Sequence, residues 1–144
     1  MDNRRISEDY QKIGESLIDR RPELAHIKAS DVQIIFLASV HKKKSNNKKI
    51  YGQCEKVADK YKWGIPCEFT ITIFEPNCEG FTKEQMEILI FHELLHIGID
   101  GTRYYVRPHD LEDFKLIVDL YGTDWARIGK DNDTGRSKEE NTGL

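Results

Sequence analysis

His92-Glu93-Leu94-Leu95-His96 is the stretch of this chain whose residue types and spacing can do chemistry. In a helix, residues four apart stand nearly above one another. Two imidazoles at that spacing can bind one metal ion. The glutamate beside the first can then approach a metal-bound water without being a ligand. Zinc suits such a site, because it lowers the pKa of that water toward about 7 and a nearby carboxylate can take the proton as the water attacks an amide carbonyl. The longer pattern HExxHxxGxxH is absent. Gly98 follows His96 by two residues rather than three, and the position six further on is Thr102.

Catalytic zinc takes three protein ligands and keeps one position open. The third ligand is expected downstream, on an element that returns over the first helix. His109, 13 residues past His96, is the leading candidate, and Glu112 is its rival. Asp113, four residues from His109, is better placed to orient an imidazole than to bind metal. Tyr104, Tyr105 and Arg107 lie between the two ligand-bearing segments, where one of them could donate a hydrogen bond to an oxyanion. Cys78 is a weak ligand candidate. His26 and His41 lie far upstream and are read as solvated.

These residues need elements to hold them. Ser7 can cap a first helix, with Tyr10, Ile13, Leu17 and Ile18 on its apolar side and Arg20-Arg21-Pro22 ending it. Val32 to Val40 reads as a buried strand, and Ile50 to Val57 as a weaker one. Cys67 to Phe74 alternates, with Cys67, Phe69, Ile71 and Ile73 on one face and Glu68, Thr70 and Thr72 on the other. A strand of that kind beside the site could accept an extended peptide along a free edge. The cleft is therefore expected between this strand and the helix after it.

That helix has the clearest signal. Thr82 and Gln85 form a capping box, with Phe81 and Met86 as a hydrophobic staple. It is expected to run from Lys83 to about Ile97, with Gly98 as a left-handed C-terminal residue. Gly101 to Arg107 reads as a connecting loop. Pro108 suits the start of a final helix, with Leu111, Phe114, Ile117, Val118 and Tyr121 on its apolar side and Gly122 closing it.

The 144 residues are enough for one ordinary domain, read as residues 1–128, followed by a polar tail at 129–144 with no apolar pattern that is expected to be disordered. The net charge of −3 excludes a generally basic nucleic-acid binder. One local exception is Lys42 to Lys49, with five lysines in eight residues. This stretch reads as a solvated loop that could touch nucleic acid or an acidic partner, but without the interleaved aromatics of a stacking platform. No apolar run approaches the roughly 20 residues of a membrane span, and no secretory signal is expected. Cys54, Cys67 and Cys78 are odd in number and widely spaced, which points to free thiols and a reducing, cytoplasmic compartment.

The chain resembles the putative phage metallopeptidase family, a zincin-like group more distantly similar to the SprT-like and YgjP-like peptidases. The resemblance rests on Tyr61-Lys62-Trp63, on Phe69-Thr70-Ile71-Thr72-Ile73 and on Phe91-His92-Glu93-Leu94-Leu95-His96-Ile97-Gly98. It continues through Arg107-Pro108-His109-Asp110-Leu111-Glu112-Asp113-Phe114, Tyr121-Gly122 and Trp125, and so covers roughly residues 30 to 126. It implies a minimal zincin with a small mixed β-sheet, an active-site helix and a following ligand-bearing helix. It further implies zinc at His92, His96 and His109, with Glu93 as the base, and an intracellular, mobile-element setting.

The expectation is thus an α+β zinc metallopeptidase acting on a protein or peptide, with no membrane association and an oligomeric state left open. The rivals are another metal-dependent hydrolase, deformylase-like or RNA-cleaving, and a non-catalytic binding module stabilised by zinc.

Overall fold

The computed structural model describes residues 4–45, 47–108, 115–122 and 125–126. Its strands are β1 (Arg4–Ile6), β2 (Ile34–Ser39), β3 (Lys44–Ser45), β4 (Lys48–Lys49), β5 (Gly52–Lys56), β6 (Phe69–Phe74), β7 (Ile97–Asp100) and β8 (Arg103–Val106). Its helices are α1 (Glu8–Arg20), α2 (Ala25–Lys28), α3 (Lys83–Leu95) and α4 (Lys115–Tyr121). The result is a mixed α+β architecture around a small mixed sheet.

That sheet runs in the order β1-β2-β6-β5. β2 and β6 are parallel, whereas β1 and β5 join antiparallel on the two outer sides. β6 therefore has no free edge, which settles for Cys67 to Phe74 a point the sequence leaves open. The outer strand is β5, which the sequence signalled only weakly. β6 also departs from simple alternation. Thr72 is fully buried because Arg4 of β1 reaches across and donates to its hydroxyl at 3.0 Å.

Phe36, Phe69, Ile71 and Ile73 of the sheet pack with Leu89, Ile90, Phe91 and Leu94 of α3. Burying each such side chain contributes about 1.5–3 kcal/mol. Helix α1 begins at Ser7, whose hydroxyl accepts from the Tyr10 amide at 3.2 Å. It approaches the sheet through Gly14, where a Cβ would run into the Phe36 ring. Below it, Tyr10 donates to Glu75 at 2.6 Å and Arg5 bonds the same carboxylate. Burial alone would raise the Glu75 pKa, but those two partners outweigh it and hold the group below its usual range.

The capping box of α3 is present in full. Thr82 Oγ1 accepts from the Gln85 amide at 3.1 Å, and Gln85 Oε1 accepts from the Thr82 amide at 2.8 Å. The helix ends earlier than expected, at Leu95, with His96 as its C-terminal cap. Ile97 already belongs to β7, and Gly101 to Arg107 is no loop, because β7 and β8 pair as an antiparallel hairpin. Gly98 is consequently not a left-handed residue. It is a strand glycine over which the Tyr105 ring lies so closely that a Cβ would collide with it. The hairpin turns at Gly101, φ +63°, a conformation that glycine adopts without penalty.

Gly122, φ +85°, follows α4 as expected. The expected helix start after Pro108 and the tail at 129–144 lie outside the described residues. Among the described residues no helix is long and apolar enough to cross a membrane.

Candidate metal centre

Helix α3 is buried on nearly every side from Ile88 to Leu95, as expected of a helix wedged between layers. Its last turn opens on a cleft of about 390 Å³ between α3 and β5. His92, Glu93 and His96 lie on the helix side. Tyr51, Gly52 and Cys54 form the strand side, and Val106 and Trp125 complete the lining. The cleft thus faces β5 rather than β6, which corrects the expected wall.

The two histidines meet as their spacing requires. Their ring centroids are 5.3 Å apart, and the planes cross at 68°. His92 also faces Trp125, at 6.4 Å between centroids. Trp125 is itself held by the capping residue Gln85, whose Nε2 donates to the Trp125 carbonyl at 2.9 Å. One side chain therefore joins the helix start to the cleft lining.

His96 is oriented by the hairpin. The register of β7 on β8 places Arg107 opposite His96, and the Arg107 amide donates to the His96 carbonyl. In return His96 Nδ1 lies 2.6 Å from the Arg107 carbonyl. A carbonyl oxygen can only accept, so Nδ1 carries the proton. In the neutral ring the lone pair is then on Nε2, the form a metal-binding imidazole takes when its other nitrogen is anchored. The donor chemistry of this pair therefore fits zinc.

Glu93 is 4 % exposed. Its Oε2 is 4.0 Å from His92 Nε2, outside hydrogen-bond range. Gly52 lies directly over it, and a Cβ at Gly52 would come within 3.3 Å of Glu93 Cγ and Oε2. A glycine within a strand often marks such a close approach. Two residues further along β5, burial first and then the Glu93 carboxylate push the Cys54 thiol pKa up, so this cleft cysteine stays protonated.

Of the other sequence candidates, Tyr104 packs edge-on to Phe69 at 6.3 Å, and Tyr105 covers Gly98 with Arg103 stacked on it at 4.9 Å. Neither forms the cleft wall, which at this hairpin is Val106. Cys78 is buried, and its thiol, raised to about 12 by burial and then by Glu75, donates to the Tyr51 carbonyl at 3.7 Å. His26 is not merely solvated, because its Nε2 donates to the Ile97 carbonyl at 2.9 Å. His41 is exposed, as expected. His109, Glu112 and Asp113 lie outside the described residues. Among the described residues no group of three His, Cys, Asp or Glu is placed to hold a metal ion.

Sequence reasoning missed Gly52, Cys54, Trp125 as a wall, and the Arg107 carbonyl. Only Gly52 carried a signal, as a glycine inside a strand-like run.

A protein-family model described as putative phage metallopeptidase matches residues 4–133. No curated protein and no solved structure matches the chain.

Proposed function

The chain belongs to the putative phage metallopeptidase family, and from that premise we propose that it is a zinc-dependent peptidase built on one zincin-like domain, residues 1–128. The reading gives His92, His96 and His109 to the metal and Glu93 to proton transfer. The observation that carries it is the 2.6 Å bond from His96 Nδ1 to the Arg107 carbonyl, one turn from His92 and beside a buried carboxylate. His109 stands two residues past that carbonyl in the chain.

Zinc, when bound, supplies Lewis acidity that acidifies water and polarises a carbonyl. Glu93 accepts a proton on its carboxylate as water adds to the peptide, and returns it to the leaving amine nitrogen. Gly52 lies against that carboxylate and leaves it the space that a Cβ would take. The outer strand β5 offers main-chain groups to an extended substrate. Tyr104 and Tyr105 support the site indirectly, by packing the hairpin that anchors His96. Asp113 is assigned to orienting His109, and Glu112 is the alternative third ligand. The free cysteines and the phage family fit a cytoplasmic protein.

Chelation of zinc is expected to abolish cleavage of an unfolded protein substrate, and a stoichiometric return of zinc to restore it. A zinc-loaded chain that cleaves nothing across a broad peptide panel overturns the reading. Gly52→Ala is expected to lower kcat about tenfold with zinc content unchanged, because the added methyl displaces the carboxylate rather than the metal ligands. Steady-state kinetics beside elemental analysis checks it.

A further inference from the structure

The lysine-rich stretch is not a loose loop. β3 and β4 pair as a two-residue ribbon, Lys44 opposite Lys49 and Ser45 opposite Lys48, with Asn47 in the turn at φ +64°. Directly opposed like charges destabilise a strand pair, and so short a ribbon is marginal by itself. Yet the chain fixes its base. Asn77, 5 % exposed, donates from Nδ2 to the Lys43 and Ile50 carbonyls, each at 2.8 Å, and the Ile50 amide donates to the Lys43 carbonyl at 3.0 Å. A buried asparagine thus clamps a self-repelling ribbon in one position. That position borders the cleft, where Lys49 lies on the wall and Gly52 of β5 follows three residues on.

Among the described residues none of the five lysines of this stretch has a carboxylate partner, which is also true of scattered lysines such as Lys12, Lys56 and Lys83; what sets these five apart is that they are gathered on one clamped ribbon. Lys42, Lys44, Lys48 and Lys49 are exposed, and Glu93 is the one carboxylate on the described cleft wall. A local rule broken without a partner inside the fold points to a ligand that supplies one. We propose that this ribbon selects substrates bearing a short run of Asp or Glu on one side of the scissile bond, the acidic run lying against Lys44 and Lys49, which the register puts on one face of the ribbon. An acidic peptide suits it better than nucleic acid, because the ribbon is only two residues long per strand and carries no aromatic ring for base stacking. The inference rests on the peptidase reading and names the substrate class of that site.

The test uses the full chain with Glu93→Gln, so that bound peptide is not consumed. Fluorescence anisotropy reads binding of labelled peptides about twelve residues long, with four glutamates at the first end, at the second end, or replaced by glutamine. Extended, such a peptide spans about 40 Å, well beyond the screening length of about 10 Å at 0.1 M salt, so the two ends are distinguishable. One end-charged peptide is expected to bind about tenfold tighter than the glutamine control, with the preference fading as salt rises. Adding Lys44→Gln and Lys49→Gln removes that preference, and the two arginine replacements keep it. Circular dichroism confirms that each variant is folded.

Equal binding of the three peptides, equal binding of the two end-charged ones, or a preference that survives the glutamine replacements overturns the proposal. So does tighter binding of a single-stranded oligonucleotide of equal charge, which would make the ribbon a nucleic-acid surface. If wild type cleaves neither peptide while the binding preference holds, the peptidase reading falls and the acidic-ligand site stands. Cleavage of all three peptides without a binding preference does the reverse.

Discussion

Glu93→Gln is expected to lower kcat about a thousandfold while zinc binding stays within twofold of wild type. Glutamine keeps the shape of the side chain but cannot take a proton. General acid–base catalysis by a positioned group is worth about two to four orders of magnitude. Shape matters here, because Glu93 is buried and its Cγ and Oε2 sit against Gly52. Alanine would open a void beneath β5 and confuse packing loss with lost proton transfer, whereas glutamine refills the space. The check is single-turnover cleavage beside metal content by elemental analysis. Activity above a tenth of wild type would place the base elsewhere. A parallel loss of zinc would mean that Glu93 holds the metal rather than water's proton.

Helix α3 was legible because every cue in it is local. Thr82 and Gln85 are three residues apart, His92 and His96 four, and both relations follow from helical geometry alone. Its C-terminal end was not legible. Ile97 continues the apolar run of the helix and Gly98 reads as its terminating residue, and only the pairing with Arg103–Val106 makes both part of a strand. That pairing carries the Arg107 carbonyl to His96, so the same long-range contact hid both the helix end and the anchor of this candidate ligand. Strand β5 was faint for a related reason. Gly52-Gln53-Cys54-Glu55-Lys56 has no apolar face, since it is an outer strand whose glycine serves the glutamate below it. The order β1-β2-β6-β5 is a tertiary fact that residue periodicity does not encode. Trp125 reached the cleft through a hydrogen bond from Gln85, forty residues away in sequence.

The third ligand is where the largest remaining effect is expected. His109→Ala should weaken zinc binding by at least about a hundredfold, comparable with His92→Ala and His96→Ala. Removing groups that merely orient a ligand already costs about 10- to 100-fold, so removal of a ligand itself should cost no less. The chain argues for this residue. Arg107 is tied to His96 through both its amide and its carbonyl. Pro108 follows with a fixed φ and no amide proton to satisfy, and His109 comes next. Glu112 is the alternative, and Glu112→Gln separates the two. If His109 binds zinc, Glu112→Gln leaves the affinity within about threefold of wild type, and Asp113→Asn costs about tenfold by loosening the His109 ring. If Glu112 is the ligand, the order inverts and His109→Ala becomes the mild variant. Competition titration against a chromogenic zinc chelator reads all three on one scale. The inverted order would keep the peptidase chemistry at Glu93 but change the ligand set from three neutral imidazoles to two and a carboxylate. That change would put one more negative charge in the ligand set and so weaken the Lewis acidity that zinc would supply there.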